Sequence, residues 1–209
     1  MGIQVIFFSL FLVAPLSQAA TRPCFNFSKK ITKPLVVLSE LGSENVVFGK
    51  LPTSVDPVGP PDGTTWSRVI GVVEKPLDRV LNLLLDHNTT KSPKVDEMAV
   101  EVAQNPDYIA QHFVDFTIKP FLFITVKWRE QWGYELLTGT LTQPQEVLIS
   151  YEKVSGTTHI EHLCGSVVLR KLDSNRTEVL QYERAKATSR SPEDTRDGLI
   201  GTLDTLRKI

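Results

Sequence analysis

The residues best suited to chemistry lie in the second half of the chain. From Ile124 to Tyr134 a period of two places Ile124, Val126, Trp128, Glu130, Trp132 and Tyr134 on one side of a strand. Thr125, Lys127, Arg129, Gln131 and Gly133 fall on the other side. The cationic set belongs in water, which leaves Glu130 facing inward between two tryptophans. A carboxylate on an apolar face loses hydration in its charged form; its pKa rises, and it can hold a ligand hydroxyl or act as an acid. The alternatives are an ion pair with a cation such as Arg68 or a place beyond the rim of the interior. Trp128, Trp132 and Tyr134, with Tyr151 on the next strand, form the candidate ligand-binding wall, although large aromatics also build ordinary cores. His162 and Tyr182 join that wall if their strands take the right phase, which apolar residues on both faces leave open.

His159, Glu161, His162 and Cys164 crowd together, but on a strand His162 and Cys164 share one face and His159 and Glu161 the other. Two converging ligands fall short of the set that zinc requires, so no metal is expected. The sequence has no glycine-rich phosphate loop, no Gly-x-Ser-x-Gly elbow, no His-Glu-x-x-His and no Cys-x-x-Cys. Neither a catalytic residue nor a cofactor is assigned. The two cysteines, Cys24 and Cys164, either form one disulfide closing a very long loop or remain a loose thiol and a small buried side chain.

The 209 residues, 41% of them hydrophobic, suffice for one domain with a substantial core. Lys and Arg number 23 against 24 Asp and Glu, with no basic block to track phosphates, so nucleic acid is not an expected partner. Met1 to Ala20 carries no charged side chain and holds an apolar run too short for a membrane span, which needs about 20 apolar residues. Ser17 and Ala19 supply the small residues that a signal peptide cleaved after Ala19 requires, which implies a secreted or periplasmic protein. Residues 20–63 form an N-terminal arm whose prolines between Leu51 and Thr64 forbid a helix or a central strand.

The elements that position the candidate residues occupy 64–209. A strand through Trp66 to Val73 runs into a helix with Leu77, Val80, Leu81, Leu84 and Leu85 on one face. A short helix or turn follows, then strands at about Val95 to Ala103, Tyr108 to Ile118 (ended by Pro120), Ile124 to Tyr134, Glu146 to Lys153, Thr158 to Leu172 and Thr177 to Ala187. The final helix, Ser191 to Ile209, opens with an N-cap serine, Pro192 and Asp194 as an approximate capping box. Gly198 and Gly201 interrupt it, each costing about 1 kcal/mol relative to Ala. Close approach of helix to sheet is the expected compensation, with room for a bound molecule as the alternative.

This order, with Val72-Val73-Glu74-Lys75-Pro76-Leu77-Asp78-Arg79-Val80, Gly165 to Leu169, Asn175-Arg176-Thr177-Glu178-Val179 and Gly198 to Arg207, resembles the helix-grip superfamily over Thr64 to Ile209. That group includes the steroidogenic-acute-regulatory-related lipid-transfer, polyketide cyclase, coenzyme Q-binding and birch-pollen-allergen-like proteins. The resemblance implies an α+β fold, a curved antiparallel sheet wrapped around a long C-terminal helix. It also implies a cavity between sheet and helix for a hydrophobic small molecule such as a lipid or quinone, a role compatible with transient membrane contact. Two other functions are carried alongside: a cyclase- or hydrolase-like enzyme with Glu130 and His162 as acid and base, and an envelope interaction module using the arm. The sequence leaves the oligomeric state open.

Overall fold

The computed structural model describes residues 23–35, 45–50, 63–121, 123–188 and 191–209. The expected signal peptide, residues 36–44 and most of the proline-rich stretch lie outside the described residues. The strands are β1 (Asn45–Lys50), β2 (Thr65–Val73), β3 (Glu97–Ala103), β4 (Ala110–Phe121), β5 (Ile124–Thr140), β6 (Gln143–Gly156), β7 (Ile160–Lys171) and β8 (Thr177–Ala187). The helices are α1 (Leu77–Leu85), α2 (His87–Thr90) and α3 (Pro192–Lys208). The eight strands among the described residues form one antiparallel sheet in the order β1-β2-β8-β7-β6-β5-β4-β3.

Several strands run further than their alternation indicates. β4 continues through Pro120 to Phe121, and the ladder shifts register between Ile118 and Phe121, the place where a residue without an N–H can be accommodated. β5 extends past Tyr134 to Thr140, with register shifts near Arg129 and Leu136. Gln143 and Pro144 sit inside β6 rather than in the turn before it.

The helices cover one face of the sheet, here called the inner face. α1 buries Leu77, Val80, Leu81, Leu83 and Leu84, with Pro76 at its N-cap. α3 begins with a full capping box: the Ser191 side chain accepts from Asp194 N, and Asp194 Oδ2 accepts from Ser191 N. Its buried stripe of Thr195, Leu199, Leu203 and Leu206 lies over β1, β2 and β8. Lys75 Nζ donates to the carbonyls of Leu206 and Arg207, both at 3.0 Å, and so satisfies acceptors that a helix C-terminus leaves without internal partners.

The compensation expected at Gly198 and Gly201 is not found. Both are exposed, and a Cβ added at either would meet nothing within 4 Å. Close approach is provided from the sheet side instead. A Cβ on Gly71 would sit 2.4 Å from Leu203 Cδ2, so β2 supplies the missing side chain that lets α3 settle.

The outer face is covered by the arm. Phe25 and Phe27 are buried with Tyr108 and Cys164, and Ile31 packs against both this cluster and that of Ile70, Leu148, Val168 and Leu180. Cys24 and Cys164 form a disulfide, settling the alternative that the sequence leaves open. Glu152 accepts from the backbone N–H groups of Cys24 and Phe25 at 2.9 and 3.1 Å, Glu135 accepts from Ile31 N, and Tyr108 Oη donates to Lys29 O at 2.8 Å. Gly133 makes room for this packing: a Cβ there would lie 2.4 Å from the Tyr108 ring.

Candidate functional site

Register fixes which of the candidate residues share a face. Three rows cross β3, β4 and β5 on the inner face: Met98, Phe116 and Trp128; Val100, Val114 and Glu130; Val102, His112 and Trp132. Tyr134 follows on β5, and Tyr151 pairs with Trp132 from β6. The period of two in β5 therefore sets Trp128, Glu130, Trp132, Tyr134 and Tyr151 on one surface.

Glu130 is 4% exposed, and its carboxylate is gripped from both sides. Trp128 Nε1 donates to Oε1 at 2.6 Å and Trp132 Nε1 to Oε2 at 2.9 Å. Arg68, the cation considered for it, pairs instead with Tyr182 in the β2–β8 ladder, on the outer face. The clamp fixes both indoles in the plane of their N–H bonds, while their rings stack on neighbours: Trp128 on Phe116 with centroids 4.9 Å apart, Trp132 on Tyr151 at 4.3 Å. Tyr151 in turn lies over Gly165, where a Cβ would be 2.2 Å from its ring, and its hydroxyl donates to Glu183 Oε2 at 2.9 Å.

The other two candidates are not on this surface. His162 and Tyr182 lie on the outer face, beneath the arm and beside it. His162 is buried with Nε2 at 3.5 Å from Cys24 Sγ and 3.4 Å from Cys164 Sγ. Burial, Arg184 and Lys153 push its pKa down to about 4. Tyr182 packs against Trp66 with centroids 6.1 Å apart and under the Arg184 guanidinium. Glu130 and His162 are thus on opposite sides of the sheet and cannot serve one substrate as acid and base. The third group near His162 and Cys164 is Cys24, which comes from the arm and is bonded to Cys164.

Sequence reasoning missed two residues of the inner surface. His87 lies on α2 three positions after Leu84, continuing the buried face of α1, and His112 is in phase with Val114 and Phe116 on β4. Their rings meet at 5.2 Å between centroids, and His87 also packs edge-on against Trp132 at 4.9 Å. Helical phase and strand alternation were available signals, but only the fold brings the two histidines together.

Helix coverage of the inner face is uneven. α3 lies over β1, β2 and β8 and α1 over β6 and β7, so β3, β4 and β5 meet helix chiefly at His87. Beneath α3 the space is packed by Leu199, Leu203 and Leu206. Apolar side chains remain uncovered over the far strands, where Val100 is 40% and Val102 70% exposed. On the outer face an open cleft of about 920 Å³ runs between Phe25 and Phe27 of the arm and Gln131, Glu152 and Lys153 of the sheet.

A curved antiparallel sheet gripping a C-terminal helix is the arrangement of several solved structures. The human StarD13 (DLC2) lipid transfer and protein localization domain aligns with a TM-score of 0.56 and 12% identity, covering 82% of this chain and 86% of that one. The chain has the helix-grip fold. A STAR-related lipid transfer protein from Xanthomonas axonopodis aligns with a TM-score of 0.50 and 18% identity over 68% of this chain and 84% of its own. A Thermus thermophilus protein aligns equally well, with 14% identity over 68% and 93% of the two chains. No family model and no curated protein matches the sequence. In this chain β1 pairs with β2 at one edge of the sheet, and the disulfide holds the arm on the outer face.

Proposed function

We propose that this helix-grip chain binds an apolar small molecule, a lipid or a compound of similar character, on the inner face of β3, β4 and β5, and does not transform it. The observation that carries this reading is the exposure of Val100 and Val102 on the same face as Trp128 and Trp132, beside a buried carboxylate. Uncovered aliphatic side chains continuous with half-buried aromatics are the chemistry of a hydrophobic ligand site. The lipid-transfer domains named above share the fold and support a ligand of that class. The Cys24–Cys164 disulfide and the signal-like N-terminus support action outside the cytosol.

The enzymatic alternative loses its acid and base to opposite faces. In the interaction-module alternative the arm would have to be free, whereas residues 23–35 are held against their own sheet. Mass spectrometry of organic extracts from the secreted protein is the direct test, with Val102→Glu as control. Co-purifying lipid in the wild type and its loss in the variant is the expected result. Absence of extractable lipid, together with failure of any apolar fluorophore to bind, would overturn the reading.

A further inference from the structure

His87 Nε2 lies 3.1 Å from His112 Nδ1 and 3.2 Å from Tyr134 Oη, and Tyr134 Oη lies 3.1 Å from the carbonyl oxygen of Leu84. These four groups determine where the hydrogens sit. Both rings are neutral at neutral pH, because burial lowers the pKa of His87 to about 4, with His112 contributing, and burial also lowers that of His112. A neutral imidazole has one N–H and one acceptor nitrogen. Leu84 O belongs to the last turn of α1, where carbonyls lack intrahelical donors, and the Tyr134 hydroxyl is the donor that reaches it. With its hydrogen so used, the Tyr134 oxygen can only accept from His87.

The hydrogen at the junction is therefore on His87 Nε2, shared between Tyr134 Oη and His112 Nδ1. His112 Nδ1 is an acceptor, and the hydrogen of its own ring is on Nε2. The opposite assignment, with His112 Nδ1 donating, makes His87 Nε2 a bare lone pair. It would then face the Tyr134 oxygen's lone pairs or draw the hydroxyl away from Leu84. His112 as a whole is 8% exposed, yet Nε2 has no partner among the described residues and is not one of their fully enclosed polar atoms. It stands in the row of Trp132 and the exposed Val102.

We infer that His112 Nε2–H is the polar anchor of the inner-face site, and that the molecule held there presents a neutral hydrogen-bond acceptor, a ketone, ester or quinone carbonyl, on an apolar body. This rests on the inner-face binding reading given above. A donor set into an otherwise apolar wall selects for an acceptor, since an unmatched N–H would lose its water without replacement. A carboxylate ligand is disfavoured, because its charge would lose hydration against this wall and one N–H offers little in return. His87 and Tyr134 act through His112 as positioning residues that fix its tautomer.

The test uses the protein from residue 20 onward with its disulfide formed, and two probes of matched size, 2-acetylnaphthalene and 2-ethylnaphthalene, followed by quenching of tryptophan emission. His112→Phe should shift the ratio of the two affinities against the ketone by about fivefold, the worth of one net hydrogen bond. The bound ketone's carbonyl stretch should move to lower frequency in the wild type and not in the variant. Nitrogen NMR of labelled histidine should report the hydrogen of His112 on Nε2, with or without a ligand. Equal weakening of both probes, an unshifted carbonyl, or a hydrogen on Nδ1 would overturn the anchor while leaving the binding site intact. Failure of both probes to bind would overturn the site and the anchor together.

Discussion

Cys24 is bonded to Cys164 across 140 residues of sequence, and the bond fastens the arm to the outer face of the sheet on the side away from α3. Closing a loop of that length restricts the unfolded chain, which in the chain-entropy model stabilises the fold by about 5 kcal/mol. The Cys24→Ser, Cys164→Ser double variant should therefore melt about 10 to 20 °C lower. Trypsin should also cut faster at Lys29 and Lys30, which the arm exposes while it remains docked. A melting point within a few degrees of wild type would mean that Phe25, Phe27 and Glu152 hold the arm without the bond.

The arm also explains which parts of the fold the sequence discloses. In β5 the inner and outer sets differ in chemistry, so alternation at residues 124–134 identifies the Trp128, Glu130 and Trp132 surface directly. In β7 and β8 alternation is lost, because Leu163, Val167 and Leu169 face the helices while Cys164, Val168 and Leu180 are also buried on the outer face. A strand covered on both sides reads as a continuous apolar run. That is why the phase of His162 and Tyr182 could not be read, and why both fall on the wrong side for a shared site. The α3 boundaries were legible because capping depends on local residues; the His87–His112 contact was not, because it joins elements 25 residues apart.

Glycines in α3 and β2 should respond to alanine in opposite directions. Gly198→Ala and Gly201→Ala add a methyl group to open space and remove backbone freedom from the unfolded chain, so each should raise stability by about 1 kcal/mol. Gly71→Ala places a methyl group against Leu203, which is 4% exposed and has little space in which to move, and should cost about 1 to 3 kcal/mol. Denaturant unfolding of the three variants measures all of these. Destabilisation by either α3 substitution would show that those glycines serve something other than packing within the chain.

Glu130→Gln tests the indole clamp. The amide keeps the shape but turns one acceptor into a donor, which then faces an indole N–H at Trp128 or Trp132. A loss of about 1 to 3 kcal/mol is expected, with a change in tryptophan emission as one ring leaves its fixed plane. An unfolding curve and an emission spectrum both unchanged from wild type would show that the two hydrogen bonds neither stabilise the fold nor orient the rings.

Acid stability should reflect a contest between buried histidines and buried carboxylates. The folded-state pKa values of His87 and His162 are lowered from 6.5 to about 4. Their contribution is thus fully present above pH 6.5 and is lost as pH falls toward 4, with a slope of up to about 1.4 kcal/mol per pH unit for each group. Glu135 runs the other way: burial raises its pKa to about 7, only partly offset by the Ile31 N–H and Lys30. Its contribution is fully present below 4.5 and is lost as pH rises through 7, so between 4.5 and 6.5 it opposes the histidines. Glu135→Gln removes that opposition and should steepen the loss of stability on acidification over that window by up to about 1.4 kcal/mol per pH unit. His162→Asn should flatten it. Denaturation midpoints at a series of pH values separate the two effects, and identical profiles for wild type and Glu135→Gln would mean that Glu135 titrates in the folded protein as it does in the unfolded chain.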